Sequence, residues 1–325
     1  MGHEGTIIHY DGNHWEDMRS GTRERLYGVW GSSERNVFVV GSNGTILHYN
    51  GSGWRKMNSG TELSLFGIWG SSELDVFAVG LKGTILHYDG TAWTKMTSWT
   101  DNSLYSVWGS SAHDVFAVGY EGTIRHYDGK SWRKMTRRTL DSLHSVWGAA
   151  AQVVFAVGSD HTIIHYNGEG WTEMFSGTYS GLNGVWGTAA RDVFVVGSHG
   201  TILHHGDKAW TSMTSGSQKS LYSVWGSSAQ LVFAVGEDGT IPRYNGKTWN
   251  NMTTGSIKHL ADVWSSSPQD VFAVGQHGTI LHYDGTSTKR MTSGTTSYLQ
   301  GVWGSSAQDV FAVGQRGAIL HYGVR

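Results

Sequence analysis

Leu104-Tyr105-Ser106-Val107-Trp108-Gly109, Asp114-Val115-Phe116-Ala117-Val118-Gly119, Gly122-Thr123-Ile124-Arg125-His126-Tyr127 and Trp132-Arg133-Lys134-Met135 read as four short strands in succession. Each is rich in β-branched and aromatic residues and is bounded by Gly or Ser. Residues 110–113 and the pair Tyr120-Glu121 serve as turns. Asp128-Gly129 is the strongest hairpin signal, expected to hold both turn residues at positive φ. No stretch keeps helical spacing over two turns.

The same pattern returns along the whole chain. Trp30, Trp69, Trp108, Trp147, Trp186, Trp225, Trp264 and Trp303 are each 39 residues apart. A strict period of about 40 residues marks a repeat architecture whose copies bury apolar surface against one another, and four strands per copy is the pattern of a propeller blade. First, second and fourth strands each number eight, counting residues 15–18 and the degenerate 289–291. Third strands number nine, at Ile7, Ile46, Ile85, Ile124, Ile163, Ile202, Ile241, Ile280 and Ile319. Eight copies fill 312 of the 325 residues and leave 13 over. The expected fold is all-β: an eight-bladed β-propeller of four-stranded antiparallel blades, one domain over residues 1–325. Residues 1–18 are expected to complete the last blade and close the ring, which removes open sheet edges. Residues 5–10 and 317–322 are near copies that compete for one third-strand place. The surplus copy has three places open to it: an outer edge, the surface, or a neighbouring molecule through self-association.

Composition narrows the function classes. Lys plus Arg number 24 against 26 Asp plus Glu, with no long basic stretch, so no nucleic-acid partner is expected. The absence of Cys excludes disulfides and thiolate metal sites. No apolar run approaches the ~20 residues of a membrane helix. The opening Met1-Gly2-His3-Glu4-Gly5-Thr6 has no signal-peptide pattern, and the compartment stays open. The 46 glycines fall at fixed places in each copy, as turn chemistry requires.

The first-strand tryptophans are expected to pack between blades. Trp15, Trp54, Trp93, Trp132, Trp171, Trp210 and Trp249 should cover the turn before them, with each indole N–H finding an acceptor. Thr288 stands in the eighth such place, which makes its blade the loosest. His9, His48, His87, His126, His165, His204, His282 and His321 are spread one per blade and cannot converge on one ion, so they are packing residues with a satisfied ring nitrogen and no metal or other cofactor is expected. Arg125 and Pro242 replace Leu or Ile in the third strand, which predicts that this strand face is partly exposed. Asp75, Asp114, Asp192, Asp270 and Asp309 read as turn caps, because Val153 and Leu231 stand in the same place elsewhere.

The motif Val-Trp-Gly, Asp-Val-Phe-Ala-Val-Gly, Gly-Thr-Ile-Leu-His-Tyr-Asp-Gly-x-x-Trp resembles bacterial neuraminidase-type (Asp-box) propeller repeats and is similar to Ycf48-like repeats. The resemblance spans essentially the whole chain. It implies that the Asp-containing turn, here Asp89-Gly90-Thr91-Ala92-Trp93, joins the third and fourth strands and is structural, and that the first strand is innermost. The spacing from Asp to Trp is one residue shorter than in that family, and His87 occupies the usual Ser or Thr place. Sialidases of this fold need an arginine cluster, a Tyr–Glu pair and an acidic proton donor, and no blade has an insertion to supply them. Sialidase activity is therefore not carried over.

Variation concentrates in the connections between second and third strands and in the interblade loops, where recognition on a rigid scaffold is expected. Trp99, which replaces a Gly, and Tyr120 head the candidate ligand-binding residues, followed by Glu121, Arg137, Arg138, Tyr179, His199 and His277. No asymmetric set of nucleophile, base and orienter stands out, so the chain reads as a non-enzymatic binding or scaffold protein with a protein partner. Two other readings remain: a lectin holding glycan at blade junctions, and a recently amplified or engineered ring without an evolved ligand.

Overall fold

Second strands such as Asp114–Gly119 are apolar on both faces, and runs of that kind are stable where both faces are covered. The computed structural model provides that cover by standing each sheet between two others. It describes residues 7–10, 15–18, 20–136, 138–206 and 209–323, and the side chains of 7–10, 15–17, 322 and 323 fall outside the description. Blades 1 to 8 begin with Leu26–Ser33, Leu65–Ser72, Leu104–Ser111, Leu143–Ala150, Leu182–Ala189, Leu221–Ser228, Leu260–Ser267 and Leu299–Ser306. Each of the first seven is a four-stranded antiparallel sheet in simple chain order. First strands of adjacent blades touch around the ring and line a central cavity, so they are innermost. Among the described residues the helical content is limited to single 3-10 turns, such as Leu81–Gly83 and Tyr120–Gly122.

One row of side chains runs outward across each blade. In blade 3, Trp108 is opposite Phe116, Phe116 opposite His126, and His126 opposite Arg133. Directly opposite residues share a sheet face, and Phe116 stacks on His126 with ring centroids 4.3 Å apart. The same Phe116 meets Trp171 of blade 4 edge to face at 5.8 Å. Trp108 likewise crosses to blade 4, where Gly148 leaves room for the indole; a Cβ there would lie 2.4 Å from Trp108 Cη2. This Trp-to-Gly contact repeats around the ring, including Trp303 on Gly31, which joins blade 8 to blade 1.

Three expectations need correction. The face carrying Arg125 and Pro242 is buried, because the preceding blade covers it, and Arg125 is only 4% exposed. The Asp-Gly connections are four-residue turns in which Gly129 takes positive φ (85°) and Asp128 does not. Asp128 Oδ1 instead accepts from the amides of Lys130 and Ser131, which fixes the turn without a left-handed Asp. The outer indole N–H groups are only partly satisfied. Those of Trp93, Trp132 and Trp249 meet a Met sulfur of the preceding blade, whereas those of Trp54, Trp171 and Trp210 are buried without a partner.

The closing sheet contains Leu299–Ser306, Asp309–Gly314 and Ile319–Gly323, joined by Ile7–Tyr10 and Trp15–Asp17. Ile319–Gly323 pairs with the second strand, and His321 both bonds Asp309 and stacks on Phe311. The C-terminal copy thus holds the third-strand place. Trp15–Asp17 pairs with it antiparallel, and Ile7–Tyr10 pairs antiparallel with Trp15–Asp17 and parallel with Ile319–Gly323.

Departures from the repeat gather at one junction. Between blades 6 and 7, Leu231 replaces Asp, Arg243 replaces His, Ser265 replaces Gly and Thr288 replaces Trp. Phe233 therefore lacks both its histidine stack and its edge-on indole, and a void of about 10 Å³ remains beside Thr288, Met252 and Tyr283. Voids forfeit dispersion contacts. Backbone amides of Thr288–Met291 are expected to exchange with deuterium roughly ten-fold faster than those of Trp93–Met96. Equal protection of the two strands would contradict a weakened junction.

Candidate binding face and axial channel

The aspartates before the second strands and the histidines of the third are partners. They lie 12 residues apart in sequence, and Asp114 Oδ1 accepts from His126 Nε2 at 2.7 Å while Oδ2 accepts from Ser110 Oγ at 2.5 Å. Asp75 does the same with His87 and Ser71, Asp192 with His204 and Thr188, and Asp309 with His321 and Ser305. Asn36 substitutes in blade 1. The carboxylate sits between hydroxyl and imidazole, so the hydroxyl bonds the carboxylate and not the histidine, the reverse of the order in a serine–histidine–aspartate triad. The repeat of one arrangement in blade after blade marks it as a clamp between the second and third strands. Where Val153 removes the carboxylate, burial lowers the pKa of His165 and favours the neutral ring. The expected cap and the expected satisfied histidine are therefore two ends of one bond. The shared loss of Asp and His at Leu231 and Arg243 was the sequence signal for it.

The connections between second and third strands form one face with the interblade loops. In each blade the second-to-third connection is tied to the start of the first strand, as in Tyr120 N–H to Ser103 O at 2.9 Å. The turn Gly of blade 7 also bonds forward into the next loop, from Gly278 N–H to Ser297 O. Seven large apolar side chains are exposed among the described residues. Six of them, Trp99, Tyr120, Leu140, Phe175, Tyr179 and Ile257, lie on this face, and Leu74 lies on the other.

Trp99 is 71% exposed and adopts φ 57°, where Gly21, Gly60, Gly177, Gly216, Gly255 and Gly294 take φ between 64° and 72°. A left-handed conformation costs a non-glycine residue roughly 1–2 kcal/mol. Buried Arg125 of blade 3 holds that loop, donating from Nε to Ser98 O at 2.5 Å and from Nη2 to Trp99 O at 2.8 Å. Burial lowers the guanidinium pKa, and its third bond goes to Ile124 O at 2.9 Å. Tyr120 and Glu121 neighbour this loop through Asn102, whose Nδ2 donates to Tyr120 O. Both unusual residues, Trp99 for Gly and Arg125 for Leu, meet at one point of the ring.

The other candidates are dispersed. Arg137 lies outside the described residues. Arg138 is exposed, and its Nε donates to Trp171 O at 2.7 Å, so it braces the fourth strand of blade 4. Tyr179 is 96% exposed and meets His161 edge to face at 5.9 Å. His199 and His277 are exposed turn residues of blades 5 and 7, the latter four blades from Trp99. These side chains share a face but not a pocket. Among the described residues no group of three His, Asp or Glu could hold a metal ion, and no helix is long and apolar enough to cross a membrane.

The second residue of every first strand was not among the candidates, although it varies as freely as the loops. The residues are Tyr27, Phe66, Tyr105, His144, Asn183, Tyr222, Ala261 and Gln300. Each sits at a bulge, as between Leu104 and Ser106, a device that re-aims a side chain. Tyr27, Phe66, Tyr105 and His144 form an aromatic arc at the axis, with successive centroids 5.4, 6.0 and 6.2 Å apart. They line a cavity of about 240 Å³ together with Asp262 of blade 7. Part of Asp262 reaches the channel, but its carboxylate is enclosed by blades 6, 7 and 8. It accepts from Ser223 Oγ at 2.7 Å and from the amides of Val263 and Val302 at 3.0 Å. Burial pushes its pKa up to about 6.

No protein-family profile and no curated protein matches the chain by sequence. Solved structures do match its fold. YCF48 bound to D1 peptide aligns with a TM-score of 0.67 at 14% identity, covering 98% of each chain. Sqt1 of Chaetomium thermophilum, bound to the N-terminus of ribosomal protein L10, aligns at 0.78 and 13% identity over 99% of this chain and 100% of its own. The computationally designed protein Ika8 aligns at 0.80 and 15% identity over 98% and 100%. Identities this low establish the propeller fold and nothing finer.

Proposed function

We propose that the protein is a non-enzymatic binding ring that engages a protein partner through the face formed by its interblade loops and second-to-third-strand connections. The observation that carries this reading is Trp99: a large exposed indole kept in a costly backbone conformation by a buried arginine. Strain of that kind persists where the surroundings over-determine it, and it gathers at binding sites. Tyr120, Leu140, Phe175 and Tyr179 extend the apolar surface over the next blades. Aromatic anchors with few moving parts are what protein interfaces favour. Two structural neighbours, YCF48 and Sqt1, were solved with a peptide and with part of a ribosomal protein, which supports protein binding as a use of this fold.

Trp99→Gly separates recognition from folding. Restoring the residue used in most other blades should raise stability by about 1 kcal/mol through relief of the left-handed strain. The same change should release any protein that the wild-type ring recovers from its native extract. A partner retained in full by both Trp99→Gly and Tyr120→Ser would refute this face. Binding in a glycan array, lost in the same variants, would favour the lectin reading instead.

A further inference from the structure

We propose that the seam between blades 4 and 5 is an acid-sensitive joint, loosened when His165 and His205 take up protons around the buried ring of Phe155. This inference goes beyond the loop-face reading and does not depend on it. The junction of blades 2 and 3 shows the ordinary arrangement. There Phe77 meets His87 of its own blade at 4.4 Å, and Tyr127 and Trp132 of the next blade at 5.3 and 5.8 Å. At blades 4 and 5, Phe155 meets His165 at 4.6 Å and Trp210 at 5.9 Å, but the tyrosine's place is taken by His205, at 5.6 Å. Position 205 is Tyr in all seven other blades, so only this seam sets two imidazoles against one phenyl ring.

The seam also lacks the carboxylate that a protonated imidazole would need. Five blades hold the third-strand His with an Asp, blade 1 offers His48 the Oδ1 of Asn36, and blade 6 has lost His and Asp together. Blade 4 alone keeps the His and puts an apolar residue, Val153, where its partner should be. Ala149 has likewise replaced the serine that steadies the Asp in blade 3. His205 Nδ1 is buried and has no partner among the described residues. Charged groups on the elements packed against the pair do not fill the gap. The second strand Val153–Gly158 has none, and Glu173 lies opposite Ile164, on the other face from His165. Asp192 is taken by His204 and Thr188, and Arg191 brings only positive charge. Asp207 and Lys208 fall outside the described residues. Burial lowers the pKa of both rings, and each is lowered further by a neighbouring histidine, although a bond to the Ala190 backbone opposes the shift at His205. The unfolded chain therefore protonates these rings near the ordinary value of 6.5, and the folded chain only at lower pH. The stability that the neutral rings contribute is complete above the ordinary value and is lost as pH falls through the lowered ones. Two like charges then face each other across Phe155.

The test compares amide exchange of the full chain at about pH 7.5 and about pH 5, each corrected for the intrinsic exchange rate at that pH. Acid should speed exchange about ten-fold in Ile163–Tyr166 and Trp210–Met213, and less than about two-fold in Ile85–Tyr88 and Trp132–Lys134. NMR of the histidine Cε1 protons should show His165 and His205 titrating below the ordinary imidazole value. Two variants restore residues that other blades already use: Val153→Asp supplies the missing acceptor, and His205→Tyr removes one of the two charges. Either should cut the acid response of the seam to about three-fold or less, and Val153→Asp should raise the pKa of His165. Melting curves at neutral pH check that both variants fold, and His205→Tyr carries the test if a carboxylate at position 153 is not tolerated. An equal acid response at both seams would overturn the proposal. So would titration of both rings at or above the ordinary value, or an undiminished response in folded His205→Tyr.

Discussion

Removing residues 1–18 should lower the melting temperature by about 10 °C or more, whereas removing residues 1–10 should change it little. The longer deletion takes away the strand that pairs with Ile319–Gly323 and leaves that strand as an open edge. It also removes Met18, which packs against Leu26, Val37, Leu47, Phe311, Val313 and Ile319 at the junction of blades 8 and 1. In a closed ring each blade rests on two neighbours, so weakening one interface is felt on both sides. A loss of roughly 5 kcal/mol, at about 2 °C per kcal/mol for a chain of this size, gives the expected shift. The shorter deletion spares Trp15–Asp17 and the C-terminal third strand, whose His321 already supplies the clamp to Asp309. Matching melting curves for the full chain and the chain lacking 1–18 would show that the ring does not need its N-terminus to close.

Gly119→Ala is the second large effect, with an expected cost of about 3 kcal/mol or more. The backbone at Gly119 is extended, with φ −174°, so conformation is not the obstacle. Space is: an added Cβ would lie 2.0 Å from Ser103 O and 2.7 Å from Leu104 Cα. Both obstacles are main chain, at the start of the first strand, and neither can swing aside. Relief requires lengthening the 2.9 Å bond from Tyr120 N–H to Ser103 O, which anchors the second-to-third connection. Partner binding should therefore fall together with stability. Gly53→Ala is the control, because nothing lies within 4 Å of a Cβ there and its φ is not positive. A urea midpoint for Gly119→Ala equal to that of Gly53→Ala would refute this account.

The sequence made the architecture plain because every blade repeats the same local choices: β-branched second strands, a Trp that needs a Gly opposite, and Asp-Gly turns. The number of blades and the strand order within each follow from counting those choices. Burial was harder to read. Arg125 suggests an exposed face because a cation in a strand is usually solvated, yet three carbonyl oxygens replace its water. The Asp–His clamp was hidden because its members are apart in sequence and meet only through strand pairing. Tyr27, Phe66 and Tyr105 resembled ordinary strand residues, and only the bulge and the curvature of the ring bring them together at the axis. Trp99 was legible as a departure from Gly, but the arginine that fixes it belongs to the following blade.

In all eight second-to-third connections the second variable residue has the same left-handed backbone, with φ between 46° and 58° at Asn43, Lys82, Glu121, Asp160, His199, Asp238, His277 and Arg316. A buried Gly follows in seven of the eight and exposed His161 in blade 4, and the backbone is left-handed in every case, so the main chain there takes the same form whichever side chain it carries. Each blade consequently holds up one side chain at the same radius and tilt, like keys set round a dial. Exchanging one key rewrites a single character of the surface and leaves the mechanism beneath it untouched.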